Sequence, residues 1–218
     1  MTTRQDLYEL GTRELVARDP VIAHLVELTG PVALPTPTDS NFTALVRAIT
    51  YQQLAGSAAR AIYGRLVALL EGDVEPERIL RFSPDELRAV GLSAAKAASV
   101  LDLSAKVAEG TVTIDDSALA DLSDEQIVAE LTVVRGIGEW TADIFTMIHL
   151  GRIDVLPIGD LGVRKGYGSA WKIPTPTPKE LLQLGERFRP YRSVLAWYCW
   201  RADELSGGTA PSPVTGGV

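Results

Sequence analysis

The 218-residue chain has one cysteine, two histidines, two methionines and no apolar run long enough to span a bilayer. The single thiol, Cys199, excludes a disulfide framework and an iron–sulfur cluster on four thiolates. His24 and His149 stand far apart with no cysteine beside either, so zinc-ligand spacing is absent. The opening stretch MTTRQDLYELGTREL is charged throughout, which fits neither a secretory leader nor an anchor and makes the cytoplasm the expected compartment. Strand signals are scarce as well. Val32-Ala33-Leu34 and Val112-Thr113-Ile114 are short and read as either strands or extended links.

Positive charge is also in short supply. Net charge is −7, which at first counts against a nucleic-acid partner. The distribution softens that conclusion, because residues 1–130 sum to −9 and residues 131–218 to +2. Arg135, Arg152, Arg164, Lys165, Arg187, Arg189 and Arg192 all fall in the second part. They are either a local DNA-facing patch or a solvated surface of mixed sign.

Present in abundance are helix signals. Apolar residues make up 46% and charged residues 22%, an ordinary globular balance that allows a sizeable core. Asp19-Pro20 sets a cap before a proline, while Ser83, Ser123 and Thr177 each open a capping box. Gly72, Gly91 and Gly110 read as helix ends. Apolar stripes recur at helical spacing in Phe42/Leu45/Val46/Ile49, Ala58/Ile62/Leu66/Leu69 and Val100/Leu103/Val107. The expected fold is all-α, about ten helices in two lobes with a cleft between them. One lobe is placed at about residues 1–45 plus 151–206 and the other at about 46–150. Proline-rich connectors are expected at Thr29–Thr38 and Ala170–Pro178, and a disordered tail at 207–218.

The most informative segment is LTVVRGIGEWTADIFTMIHLGRIDVLPIGD, residues 131–160. Gly136 and Gly138 let backbone N–H groups approach an anion, and a helix from about Glu139 to Leu150 adds its positive end. With Ser123–Val134 before it, this reads as a helix-hairpin-helix spanning 123–150. Asp160 follows a strained-looking Pro157-Ile158-Gly159 turn. It is either a reactive carboxylate or the cap of a short helix.

These segments resemble the helix-hairpin-helix DNA glycosylases, and within them the DNA-3-methyladenine glycosylase II group. The matching stretches are FTALVRAITYQQLAGSAA (42–59), GLSAAK (91–96), VRGIGEWTA (134–142), DVLPIGDLGVRKGY (154–167) and PYRSVLAWYCWR (190–201), in the family's order. The resemblance implies the compact form without the extra β-rich domain. It gives Asp160 the catalytic position, where a fixed carboxylate stabilises the oxocarbenium-like sugar as the base leaves. At position 140, members that also nick the strand carry a lysine for Schiff-base chemistry; Trp140 has no amine, so hydrolysis alone is implied.

Trp140 and Trp200 match positions that wall the extruded base, although Trp197 and Trp200 at helical spacing also read as core. Stacking on such a ring returns about 1–3 kcal/mol. A cationic methylated purine gains about 2 kcal/mol more, or roughly thirtyfold in selectivity. The better leaving ability of an alkylated purine must supply the rest. Gln52 and Gln53 match the loop inserted where the flipped nucleotide stood, with Gln53 the stronger candidate wedge; from spacing alone they are a polar helix end. Leu54-Ala55-Gly56 lacks the serine or histidine often found next in the family. Thr141 is placed either to reach a phosphate or to bond its own helix. Arg164 and Lys165 are candidate phosphate contacts or solvated positions. No cofactor is expected and no side-chain metal site; the resemblance implies a monovalent cation at the hairpin carbonyls. The expected partner is duplex DNA carrying N3-methylated and N7-methylated purines, met by a monomer. A glycosylase for deaminated or etheno bases, and a non-catalytic DNA-binding module, are the rival readings.

Overall fold

A computed structural model describes residues 3–34 and 36–208, so the expected tail lies, beyond Gly208, outside the described residues. Among them there are thirteen α-helices and no strand. The described residues divide into two compact units, one from residues 3–34 and 36 with 146–208, the other of residues 37–145. The first division falls inside the proline-rich connector. It does not fall at 45/46, because that point lies within an unbroken helix, Asn41–Tyr51, whose apolar face belongs wholly to the second unit. Residues 32–34 and 112–114 are irregular, without ladder partners.

The N-terminal pair is α1 (Arg4–Arg18) and α2 (Pro20–Thr29). Asp19 ends the one and caps the other: its carboxylate accepts from the Val21 N–H at 2.8 Å while Pro20 occupies the first helical position.

The unit of residues 37–145 contains α3 (Asn41–Tyr51), α4 (Gly56–Leu69), α5 (Pro76–Ile79), α6 (Pro84–Ala89), α7 (Ala94–Ala108), α8 (Asp116–Asp121), α9 (Asp124–Thr132) and α10 (Glu139–Ile144). The capping boxes at Ser83 and Ser123 form as expected, and Gly72, Gly91 and Gly110 take positive φ at helix ends. The stripe Phe42, Leu45, Val46, Ile49 is fully buried. On α4 the buried face is Ala59, Leu66 and Leu70, one position on from the expected Ala58 and Leu69. The centre of the unit is α7, packed on α3, α5 and α6 and burying Val100 and Leu103. Each such side chain contributes about 1.5–3 kcal/mol by leaving water.

After α10 the helix changes pitch. Residues Phe145–His149 are π-helical, where the sequence pattern pointed to a plain α-helix through Leu150. The Arg4 guanidinium caps the turn by donating to the carbonyls of Ile148 and His149 at 3.0 and 2.7 Å. The other unit resumes here with α11 (Leu161–Trp171), α12 (Pro178–Gly185) and α13 (Arg192–Leu205). Every residue of α13 from Arg192 to Trp200 is buried, so this helix is the core of its unit, with residues 194–200 supplying its mostly apolar middle. Two glycines decide how closely α11 lies on it. A Cβ at Gly166 would overlap the Cys199 carbonyl, and one at Gly162 would meet Trp200 Cδ1 at 3.1 Å.

Candidate active site and nucleic-acid interface

The hairpin between α9 and α10 is held from behind by α7. The Asp102 carboxylate accepts from the Arg135 N–H at 2.7 Å and from Lys106 Nζ at 2.6 Å. Burial pushes this carboxyl up, but the Lys106 ammonium and the Arg135 amide outweigh it and leave its pKa below the ordinary value. Gly136 has φ of 80°, and a Cβ there would collide with the Ser99 hydroxyl on α7. Gly138 is different. It is the N-cap of α10 with φ of −96°, and a Cβ there would meet nothing within 4 Å. One glycine is required by the protein's own packing; the other keeps open an approach to the first amides of α10.

Facing the hairpin within the same unit is the turn that ends α3. Gln52 has φ −49° and ψ 130°, Gln53 has φ 56°, and the Leu54 N–H donates to the Tyr51 carbonyl at 3.3 Å. These are the features of a type II turn with Gln53 where glycine is preferred. The Gln52 amide donates to the Gly136 carbonyl at 2.9 Å and to Thr141 Oγ1 at 3.3 Å. Gln52 is thus turned inward, whereas Gln53 and Leu54 are exposed. Thr141 is only 7% exposed, and its hydroxyl oxygen accepts from Gln52, a partner the sequence did not suggest. Lys96, in the GLSAAK stretch, donates from Nζ to the Thr50 carbonyl at 2.7 Å, and burial lowers its pKa. Sequence reasoning gave Lys96, Ser99 and Asp102 no role; Lys96 was signalled only by the GLSAAK stretch, and Ser99 and Asp102 by nothing beyond their place in a helix. Trp140, second residue of α10, is 42% exposed, as a stacking surface requires.

Asp160 belongs to the other unit. The turn before it is closed by the Asp160 N–H donating to the Pro157 carbonyl at 2.9 Å, and neither Ile158 nor Gly159 has positive φ, so the expected strain is absent. The Asp160 side chain caps α11, Oδ1 accepting from the Val163 N–H at 2.8 Å. The same oxygen accepts from Trp200 Nε1 at 3.1 Å. Asp160 is 7% exposed and Trp200 2%, so Trp200 presents no wall to a base. Its indole instead donates to the Asp160 carboxylate, a bond that the glycines of α11 allow by bringing that helix close to α13. Trp197 is core, with its ring edge-on to Tyr198. Asp203, one turn beyond Trp200 on α13, is also buried; burial raises its carboxyl pKa, Lys165 lowers it and Asp160 raises it. The buried Cys199 thiol is pushed far up by burial and by the Asp160 charge.

The loop carrying Asp160 is tied to the start of α13. Arg192 donates through Nε to Asp154 Oδ1 at 2.9 Å, and Ser193 Oγ takes the Val155 N–H at 3.0 Å. This corrects the charge reading. Arg192 is buried, Arg189 pairs with Asp154 at 2.6 Å and Arg187 with Asp19 at 2.9 Å, so these three positive charges are each matched by a carboxylate. Arg164 turns to the Pro176 carbonyl at 3.3 Å, while Lys165 is exposed. Among the described residues no cluster of His, Cys, Asp or Glu could hold a metal ion. The hairpin carbonyls are hard oxygen donors with lone pairs beyond those engaged by Ile137 N–H and Gln52, so they fit an alkali cation.

Comparison with known proteins agrees with this anatomy. The profile of the HhH-GPD superfamily of base excision DNA repair proteins matches residues 46–190. DNA-3-methyladenine glycosylase 1 of Schizosaccharomyces pombe is 33% identical over 173 residues, 78% of this chain and 75% of that protein. The structure of that organism's 3-methyladenine DNA glycosylase Mag1, in complex with abasic DNA, superposes with TM-score 0.78 at 31% identity, covering 91% of this chain and 98% of that one. A DNA-3-methyladenine glycosidase from Bacillus halodurans gives TM-score 0.82 at 34% identity over 90% and 91% of the two chains. The chain belongs to the HhH-GPD superfamily of base excision DNA repair proteins, in its DNA-3-methyladenine glycosylase group.

Proposed function

We propose that the protein is a DNA glycosylase that hydrolytically excises alkylated purines, 3-methyladenine first and 7-methylguanine second, without cutting the strand. The observation that carries the reading is Asp160, enclosed at the cap of α11 with the Val163 amide and the Trp200 indole both aimed at Oδ1. In the reaction the C1′–N bond breaks and its electron pair goes to the purine, cancelling the positive charge that methylation placed there. The sugar is left as an oxocarbenium ion. A carboxylate already fixed by two donors stabilises that charge without reorganising at the moment of reaction. Water adds its oxygen to C1′ and gives up a proton, which Asp160 accepts or directs to solvent.

The remaining roles follow the exposed groups. Trp140 offers a stacking face for the flipped base, worth about 1–3 kcal/mol. Gln53 fills the gap in the duplex, its amide able to bond either orphaned base edge. The amides around Gly138 take a backbone phosphate, and a cation on the hairpin carbonyls would add positive charge there. Lys165 serves a further phosphate. With Trp140 at the position where a lysine would be needed, there is no amine to form a Schiff base.

The test is base release from methylated duplex DNA by the wild type and Asp160→Asn. The variant is expected to bind the same duplex but release base at least about a hundredfold more slowly, as when a preorganised electrostatic group is lost. Equal rates would remove the mechanism. A panel with deaminated and etheno lesions would show whether alkylated purines are the preferred class.

A further inference from the structure

We infer that Gln52 is a positioning residue: its amide latches the turn bearing Gln53 to the hairpin, so that base displacement and phosphate grip act as one rigid body. The inference rests on the reading of Gln53 as the wedge and on contacts within a single unit.

Gln52 and Gly136 are 84 positions apart, yet the amide reaches the carbonyl at 2.9 Å and Thr141 Oγ1 at 3.3 Å. Both acceptors flank Gly138, one on the hairpin and one inside α10. The next residue, Gln53, holds a left-handed φ of 56° that favours glycine. Holding a residue other than glycine in that conformation costs free energy that the surroundings must offset. The surroundings are visible. Gln52, immediately before it, is bolted to the hairpin; Leu54, immediately after, closes the turn on Tyr51 at 3.3 Å. Lys96 fixes the Thr50 carbonyl at 2.7 Å, and Asp102, two turns further along the same helix, fixes the Arg135 amide at 2.7 Å. Turn and hairpin are therefore each referenced to α7 and, through Gln52, directly to each other. Two adjacent glutamines thus have opposite duties, one inward and one outward.

The experiment uses the full chain and a duplex carrying a tetrahydrofuran abasic analogue opposite 2-aminopurine, whose fluorescence rises when it is unstacked. Gln52→Met keeps most of the side-chain length and removes the donor without adding charge; Gln52→Ala removes both length and donor; Gln53→Ala removes the wedge. The expected result is that each single variant loses most of the fluorescence rise and on the order of fivefold in affinity for this duplex. The pair Gln52→Ala/Gln53→Ala is expected to be no worse than Gln53→Ala, because the latch has nothing left to position. Affinity for undamaged duplex should stay within about twofold. Multiplicative losses in the double variant would overturn the latch in favour of an independent DNA contact by Gln52. An equal loss on undamaged duplex would overturn it in favour of a general hairpin defect. Wild-type failure to release 3-methyladenine, with the fluorescence rise intact, would sink the substrate reading and leave the latch standing.

Discussion

Trp200 Nε1 lies 3.1 Å from Asp160 Oδ1, so a tryptophan in the core is wired to the one carboxylate at the head of α11. The bond exists because Gly162 and Gly166 let α11 settle on α13. A hydrogen bond to a charged group is worth about 1.5–3 kcal/mol, or roughly ten- to a hundredfold in rate if it is lost at the transition state. Trp200→Phe keeps a buried ring and deletes the donor. Single-turnover base release should fall by that factor with duplex affinity unchanged. A loss confined to affinity would show that the indole meets the base after all.

Gly136 and Gly138 look interchangeable in the motif and are not. Gly136→Ala places a Cβ against Ser99 at φ 80° and should destabilise the protein by at least about 1–2 kcal/mol, seen as a lower Tm. Gly138→Ala meets no protein atom within 4 Å and has negative φ, so Tm should hold. Its cost should appear instead as weaker binding to any duplex, damaged or not, because the methyl group occupies the phosphate's approach. Unchanged DNA affinity in Gly138→Ala would remove the hairpin from the interface.

Gln53→Gly separates stability from function at one position. Glycine suits φ 56° in a type II turn, and the strain it relieves offsets its greater backbone freedom when unfolded. Thermal denaturation should show a Tm no lower than wild type, while base release from a methylated duplex drops about tenfold or more through loss of the wedge. A variant that is less stable and equally active would mean that the side chain serves the turn and not the DNA.

What could be read in advance was local. Capping boxes at Ser83, Ser123 and Thr177, the helix-ending glycines and the hairpin itself depend on a few adjacent residues, and all formed as the sequence pattern led one to expect. What could not be read was the direction of side chains whose partners are far away in sequence. Gln53 was the stronger candidate wedge by resemblance, but that its neighbour Gln52 turns inward depends on Gly136 and Thr141, more than eighty positions away. Arg187, Arg189 and Arg192 counted as free positive charge until Asp19 and Asp154 were found beside them. Trp200 was legible as either wall or core; its 2% exposure makes it core, and its indole nitrogen makes it part of the site as well. The π-helical turn at Phe145–His149 had no sequence signal, because its last carbonyls are satisfied by Arg4, 144 positions away from Ile148.

Asp203 provides a pH test. Burial first, and the Asp160 charge after it, raise its carboxyl pKa, with Lys165 opposing. A carboxyl whose folded pKa exceeds its unfolded value favours the fold when protonated. Its contribution is fully present below the unfolded pKa and is lost as pH rises through the folded one. At neutral pH the native state therefore carries a penalty that it lacks in acid. Asp203→Asn preserves the shape and removes the charge, so it should raise Tm at pH 7 and leave Tm unchanged near about pH 3, where both proteins are neutral at this position. The exposed Lys165 loses a nearby negative charge in the variant, but its attraction is a weaker influence than burial. A Tm that falls at pH 7 would mean that the Lys165 attraction outweighs burial and would reverse the sign assigned to this carboxylate.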